Sequence, residues 1–176
     1  MLRKLLLGVV VLVAVVLLLA TRQPDSFSVE RRLVMNAPPE RVFAQINDFH
    51  AWEAWSPWAK LDPAMQATYS GAAQGVGAVY EWRGNSDVGS GRMTIKSATS
   101  PSEVTIALDF LTPFESHNVT TFMLTPTGNG TEVIWMMKGK AEYATKLMTL
   151  FVSMDRMVGP DFARGLEQLK TVVERP

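Results

Sequence analysis

The sequence contains no cysteine, which excludes disulfides, thiolate metal sites and a lipid-modified cysteine. Histidine occurs only twice, as His50 and His117, and neither stands in metal-ligand or catalytic-triad spacing. Charge of one sign is not in excess: 17 basic side chains balance 17 acidic ones. No basic stripe interleaved with aromatics occurs, so nucleic acid is not an expected partner. Phosphate loops are missing as well, because no helix follows Gly75-Val76-Gly77 or Gly89-Ser90-Gly91, which read as turns. Asn118-Val119-Thr120 and Asn129-Gly130-Thr131 match the glycosylation sequon, a pattern common by chance. Internal repeats are absent, and no cofactor or metal is expected.

What the chain does have is a long apolar run. From Leu5 to Ala20 there is no charged or polar side chain, and Arg3 and Lys4 stand directly before it. Such a run satisfies its backbone in lipid only as a helix. Its length is ~24 Å against a hydrocarbon core of ~30 Å, a shortfall that snorkelling of Arg3 and Lys4 would offset. The pattern predicts a single transmembrane anchor over residues 1–21, a short linker over 22–26 and one domain over 27–176. A cleaved signal peptide is the first alternative, although Leu18 stands where a cleavage site wants a small residue. A buried core helix is the second. Arg3, Lys4 and the amino terminus favour an N-terminus in the cytoplasm, with Arg22, Arg31 and Arg32 weakening that bias. The domain would then lie outside the cytoplasm, in the periplasm if the cell is Gram-negative.

Past the linker, Phe27–Asn36 reads as a strand, and Ala37-Pro38-Pro39-Glu40 ends it and starts a helix. Val42, Phe43 and Ile46 share one face of that helix, and a short helical stretch comes next over His50–Ala54. Between Met65 and Glu142 short alternating segments predict strands. Ala78–Arg83 sets Tyr80 and Trp82 on one face. Arg92–Ser97 does the same with Met93 and Ile95, and Glu103–Phe110 with Val104, Ile106, Leu108 and Phe110. Ser116–Thr125 and Thr131–Ala141 are joined by a hairpin turn at Thr127–Gly130. The result is an antiparallel meander with one buried face. Leu147, Leu150, Phe151, Met154 and Val158, then Phe162, Leu166, Leu169 and Val173, recur at helical spacing. Gly159-Pro160 predicts a kink or restart between them, with Gly159 near an N-cap.

This order implies an α+β helix-grip fold, a curved antiparallel sheet wrapped around a long C-terminal helix and preceded by the apolar N-terminal helix. The segments NAPPERVFAQIND (36–48), WEAWSPW (52–58), YEWRGN (80–85), GSGRMTI (89–95) and DFARGLEQLKTVVE (161–174) carry a resemblance. In that order they resemble the polyketide cyclase/dehydrase-like branch of the START and Bet v 1-like (SRPBCC) superfamily, over Phe27 to Glu174. The resemblance implies a hydrophobic cavity between sheet and helix. It implies no single chemistry, since such folds serve carriers, receptors and enzymes alike.

The inward face of the strands offers Tyr80, Trp82, Met93, Phe110, Phe122, Trp135 and Met137 as ligand-binding candidates, faced by Met148, Phe151 and Met154 of the C-terminal helix. Methionine adapts to irregular apolar shapes, which suits a pliable pocket. Trp52, Trp55 and Trp58 read first as packing at one end of the grip. An exposed Trp52/Trp55 patch that docks a protein partner at the membrane is the other reading. Catalytic groups are few. Strand parity turns His117 outward beside Glu115, and likewise Glu81 and Asp109. The expected function is a membrane-tethered protein that binds a small hydrophobic, lipid-like or polyketide-like ligand. A cyclase/dehydratase-type enzyme is the alternative, requiring His117, Glu81, Asp109 or Tyr80 inside the cavity with a polar neighbour.

Overall fold

Seven segments take up strand geometry in the computed structural model, which describes residues 2–175. They are Ser26–Met35 (β1), Gln66–Gly71 (β2), Ala78–Arg83 (β3), Ser90–Thr99 (β4), Glu103–Thr112 (β5), Ser116–Thr127 (β6) and Gly130–Lys140 (β7). All pair antiparallel in the order β1-β7-β6-β5-β4-β3-β2. The meander therefore returns to place its last strand beside the first. Alternation decides which face is buried: Asn118, Thr120, Phe122 and Leu124 of β6 point inward with Thr131, Val133, Trp135 and Met137 of β7. Strand β2, at the free edge, is exposed throughout.

The helices are Leu2–Ala20 (α1), Pro39–Asn47 (α2), Tyr143–Thr149 (α3) and Met154–Val173 (α4), with a single 3₁₀ turn at Ala51–Ala54. Helix α2 starts on Pro39 with Glu40 in its first turn and buries Val42, Phe43 and Ile46. Helix α4 lays Phe162, Leu166, Leu169 and Val173 into the sheet. These side chains and the inner face of the strands make one core.

The expected restart at Gly159-Pro160 is corrected by the structure. Helix α4 runs through both residues, and the interruption falls instead at Leu150–Ser153. Ser153 is the N-cap, its Oγ accepting from the Arg156 amide at 3.3 Å, and Asp155 occupies the first turn. Gly159 has a different task. A Cβ there would come within 1.9 Å of Arg31 Nη2, and the same guanidinium donates to Asp155 at 2.6 Å. The missing side chain lets Arg31 lie across the helix.

Helix α1 is long and apolar enough to cross a membrane, a description that a signal sequence also meets. None of its apolar window is buried, so the core-helix reading falls. Only its last residue, Ala20, is enclosed. Tyr143 Oη donates to Leu17 O at 3.1 Å, and Lys146 pairs with Asp25 of the linker, so the end of α1 rests on α3.

Candidate functional site

The inner end of the grip is built from aromatic rings. Trp52 Nε1 donates to Ile46 O at 3.0 Å and Trp55 Nε1 to Gln45 O at 3.2 Å, which fastens the 3₁₀ turn to the end of α2. Both rings then stand edge-on to Phe122 and Trp135, with centroids 5.8–6.4 Å apart. Trp135 is the hub. Phe162 of α4 stacks on it at 4.2 Å and Trp58 meets it edge-on at 5.9 Å. Gly165 makes room for that stack, since a Cβ there would approach Trp135 Cζ3 to 2.7 Å. Trp52 and Trp55 are buried with their N–H groups satisfied. The expectation of an exposed Trp52/Trp55 docking patch is therefore overturned.

Beyond these rings the sheet and helices separate, leaving a cavity of about 770 Å³. Tyr80, Trp82, Met93 and Phe110 line it from β3 to β5, Trp135 and Met137 from β7, and Met148 and Met154 from the helices. Two candidates do not. Phe122 is fully enclosed behind Trp135, at 4.9 Å, and the tryptophans seal it from the cavity. Phe151 is 72% exposed, because it sits in the turn between α3 and α4 and not on a continuous helix. Sequence reasoning missed Phe27, Phe49, Tyr69 and Phe114 in the lining. Phe27 shares the parity of the buried Val29 and was readable on that signal. The others lie on loops or at the exposed edge, where no periodicity marks an inner face.

The wall is not pure hydrocarbon. Asn118 and Thr120 of β6 line it along with Trp135, and Asn118 Oδ1, Thr120 Oγ1 and Trp135 Nε1 are buried without a hydrogen-bond partner among the described residues. An unpaired buried hydroxyl costs about 1–3 kcal/mol. Thr120→Val, which keeps the shape and removes the hydroxyl, is therefore expected to stabilise the ligand-free chain by about 1 kcal/mol. Urea denaturation reads this directly, and an equal loss of stability would show that the hydroxyl is bonded.

Among the residues with titratable groups named for catalysis, only Tyr80 lines the cavity. Its phenol is pushed up to about 12, first by burial and then by Tyr69 and Glu53. It stays protonated at neutral pH, which leaves its O–H free to be offered as a donor. Glu53 and Tyr69 line the same space. Glu81 instead faces Arg92 at 3.9 Å on the outer side of the sheet. His117 lies outside too, its Nδ1 2.7 Å from Asp109 and its Nε2 3.6 Å from Glu115. These carboxylates, Asp109 foremost, hold the His117 imidazole above its ordinary range. A raised folded-state value makes this contribution complete below the unfolded histidine range and removes it as pH climbs through the folded one. NMR titration is expected to place His117 above a free histidine, and Asp109→Asn to bring it down; an unchanged midpoint would contradict the pairing. Among the described residues no group of three His, Asp or Glu side chains, His117 with Asp109 and Glu115 included, is arranged to hold a metal.

The family model for polyketide cyclase/dehydrase and lipid transport matches residues 26–174. The chain belongs to this family. Solved structures share the fold at low identity. Protein CV1439 from Chromobacterium violaceum is 18% identical with a TM-score of 0.61, over 88% of this chain and 100% of that one. Ara h 8.0201 is 13% identical with a TM-score of 0.59, over 84% and 97%. The di-domain ARO/CYC StfQ of the steffimycin biosynthetic pathway is 10% identical with a TM-score of 0.62, over 85% of this chain and 51% of StfQ. No curated protein matches the chain. This polyketide cyclase/dehydrase and lipid transport family member thus has the α+β helix-grip fold of Bet v 1-like proteins.

Proposed function

We propose that the chain is a membrane-tethered binding protein that holds a small hydrophobic, lipid-like or polyketide-like molecule between the sheet and α4. The observation that carries this reading is the cavity of about 770 Å³, walled by aromatic and methionine side chains, within the size range of small-molecule sites. Helix α1, uncleaved, is the tether, with the N-terminus in the cytoplasm and the domain across the membrane. The family description, which pairs cyclisation with lipid transport, supports the ligand class.

The test uses a diazirine-bearing long-chain alcohol with the full chain in phosphatidylcholine nanodiscs. Saturable adducts on the lining of β3–β5 and β7 support the reading, and adducts confined to α1 sink it. An alkaline wash of host membranes tests the tether: the chain should stay in the pellet with its N-terminal segment intact. One observation favours the cyclase/dehydratase alternative, namely Tyr80 in the cavity beside Tyr69 and Glu53. On that reading Tyr80→Phe abolishes turnover and leaves probe binding intact.

A further inference from the structure

We propose that the apolar rim formed by α3 and the β5–β6 turn inserts into the same bilayer that holds α1, so that the cavity opens into lipid. This rests on the reading of α1 as an uncleaved span. The first support is that α1 is fixed to the rim. Tyr143 Oη donates to Leu17 O at 3.1 Å, Lys146 pairs with Asp25, and Ala20 is enclosed. Leu17 belongs to the apolar run, so Tyr143 meets the span near its outer end, the level at which tyrosines gather at membrane–water boundaries.

The second support is the run of apolar side chains C-terminal to Tyr143. Met148 lies about 7–8 Å further along the axis of α3, and Phe151 and Val152 come next in the turn. A headgroup zone is about 5–8 Å deep on each side of the hydrocarbon, so this group is within reach of the boundary. Met148, Phe151 and Val152 are all exposed, as are Leu111 at the end of β5 and Phe114 in the β5–β6 turn. Phe114 is 70% exposed and yet lines the cavity, as Met148 does. Phe114 and Met148 thus belong both to the exposed apolar surface and to the cavity wall. Exposed patches of this kind mark interaction sites, and the surface that α1 brings alongside is a bilayer. Glu115 and Glu142 line the same cavity, and Lys146 of α3 is paired with Asp25, so the match is with hydrocarbon and not with anionic headgroups. A ligand then passes between bilayer and cavity without crossing water, and Phe151 is accounted for as an insertion residue.

Because the chain has no cysteine, single labels test this cleanly. Nitroxides are placed by Phe114→Cys, Phe151→Cys, Val10→Cys in α1 and Gly128→Cys in the β6–β7 turn, in the full chain in phosphatidylcholine nanodiscs. Collision with oxygen and with a water-soluble nickel chelate reports depth. Positions 114 and 151 are expected to favour oxygen as position 10 does, with position 128 favouring nickel. If 114 and 151 read like 128 while 10 reads as lipid, rim insertion is overturned and the span stands. Poor access of both reagents at 114 and 151 places them against protein and overturns it equally. A water-like reading at position 10 removes the span itself, and the inference with it.

Discussion

Met93→Lys is expected to weaken uptake of the diazirine alcohol by about 100-fold or more while leaving the chain folded. Met93 sits between Tyr80 and Leu108 in the sheet register and projects into the cavity, where it is half-buried. Without ligand, water in the cavity can solvate the new ammonium along the lysine stem. An apolar ligand removes that water and desolvates the charge, which costs several kcal/mol. About 3 kcal/mol already corresponds to more than two decades in affinity. The control is Val119→Lys. Val119 is exposed on the outer face of β6, so the same charge there is expected to leave uptake unchanged. The measurement is the probe concentration that gives half-maximal adduct. Equal values for the two variants would show that the cavity is not the binding site.

Trp135→Ala is expected to destabilise the domain more than any other substitution in the aromatic cluster. The ring is in aromatic contact with Trp52, Trp55, Trp58, Phe122 and Phe162, and it joins β7 to α4 and to the 3₁₀ turn. Removing a buried tryptophan costs about 3–5 kcal/mol, a large part of the ~5–15 kcal/mol that stabilises an ordinary domain. For a domain of this size the thermal midpoint should fall by roughly 10 °C. Phe151→Ala, which removes a ring that makes little contact with the protein, should shift stability by no more than about 0.5 kcal/mol. Calorimetry of the two variants separates them. A loss below about 1 kcal/mol for Trp135→Ala would mean that the rings are not the keystone of the closed end.

Strand parity was legible because burial on one face leaves a period-two record, and it places Tyr80, Trp82, Met93, Phe110, Trp135 and Met137 on the inner face. The same rule could not separate Phe122 from them. Parity names a face, whereas the boundary between packed core and open cavity is set by the tryptophans that reach over from the 3₁₀ turn. Phe151 was misplaced for a related reason. Its helical spacing from Leu147 and Met154 continues across a break made by Ser153, and periodicity does not register a cap. Gly159-Pro160 drew the break to itself on propensity alone, whereas α4 runs through both residues and Gly159 serves the close approach of Arg31. The apolar run of α1 was plain in the sequence; its seat on Tyr143 and Lys146 was not, since that contact joins residues more than a hundred apart.

Native mass spectrometry of the full chain, extracted in nanodiscs from the membranes of its own host, tests the central claim most directly. The account predicts an intact N-terminal segment and one small apolar molecule per chain, absent from Met93→Lys and retained by Val119→Lys. A bare chain mass in every preparation, alongside no saturable adduct in the cavity, would contradict it.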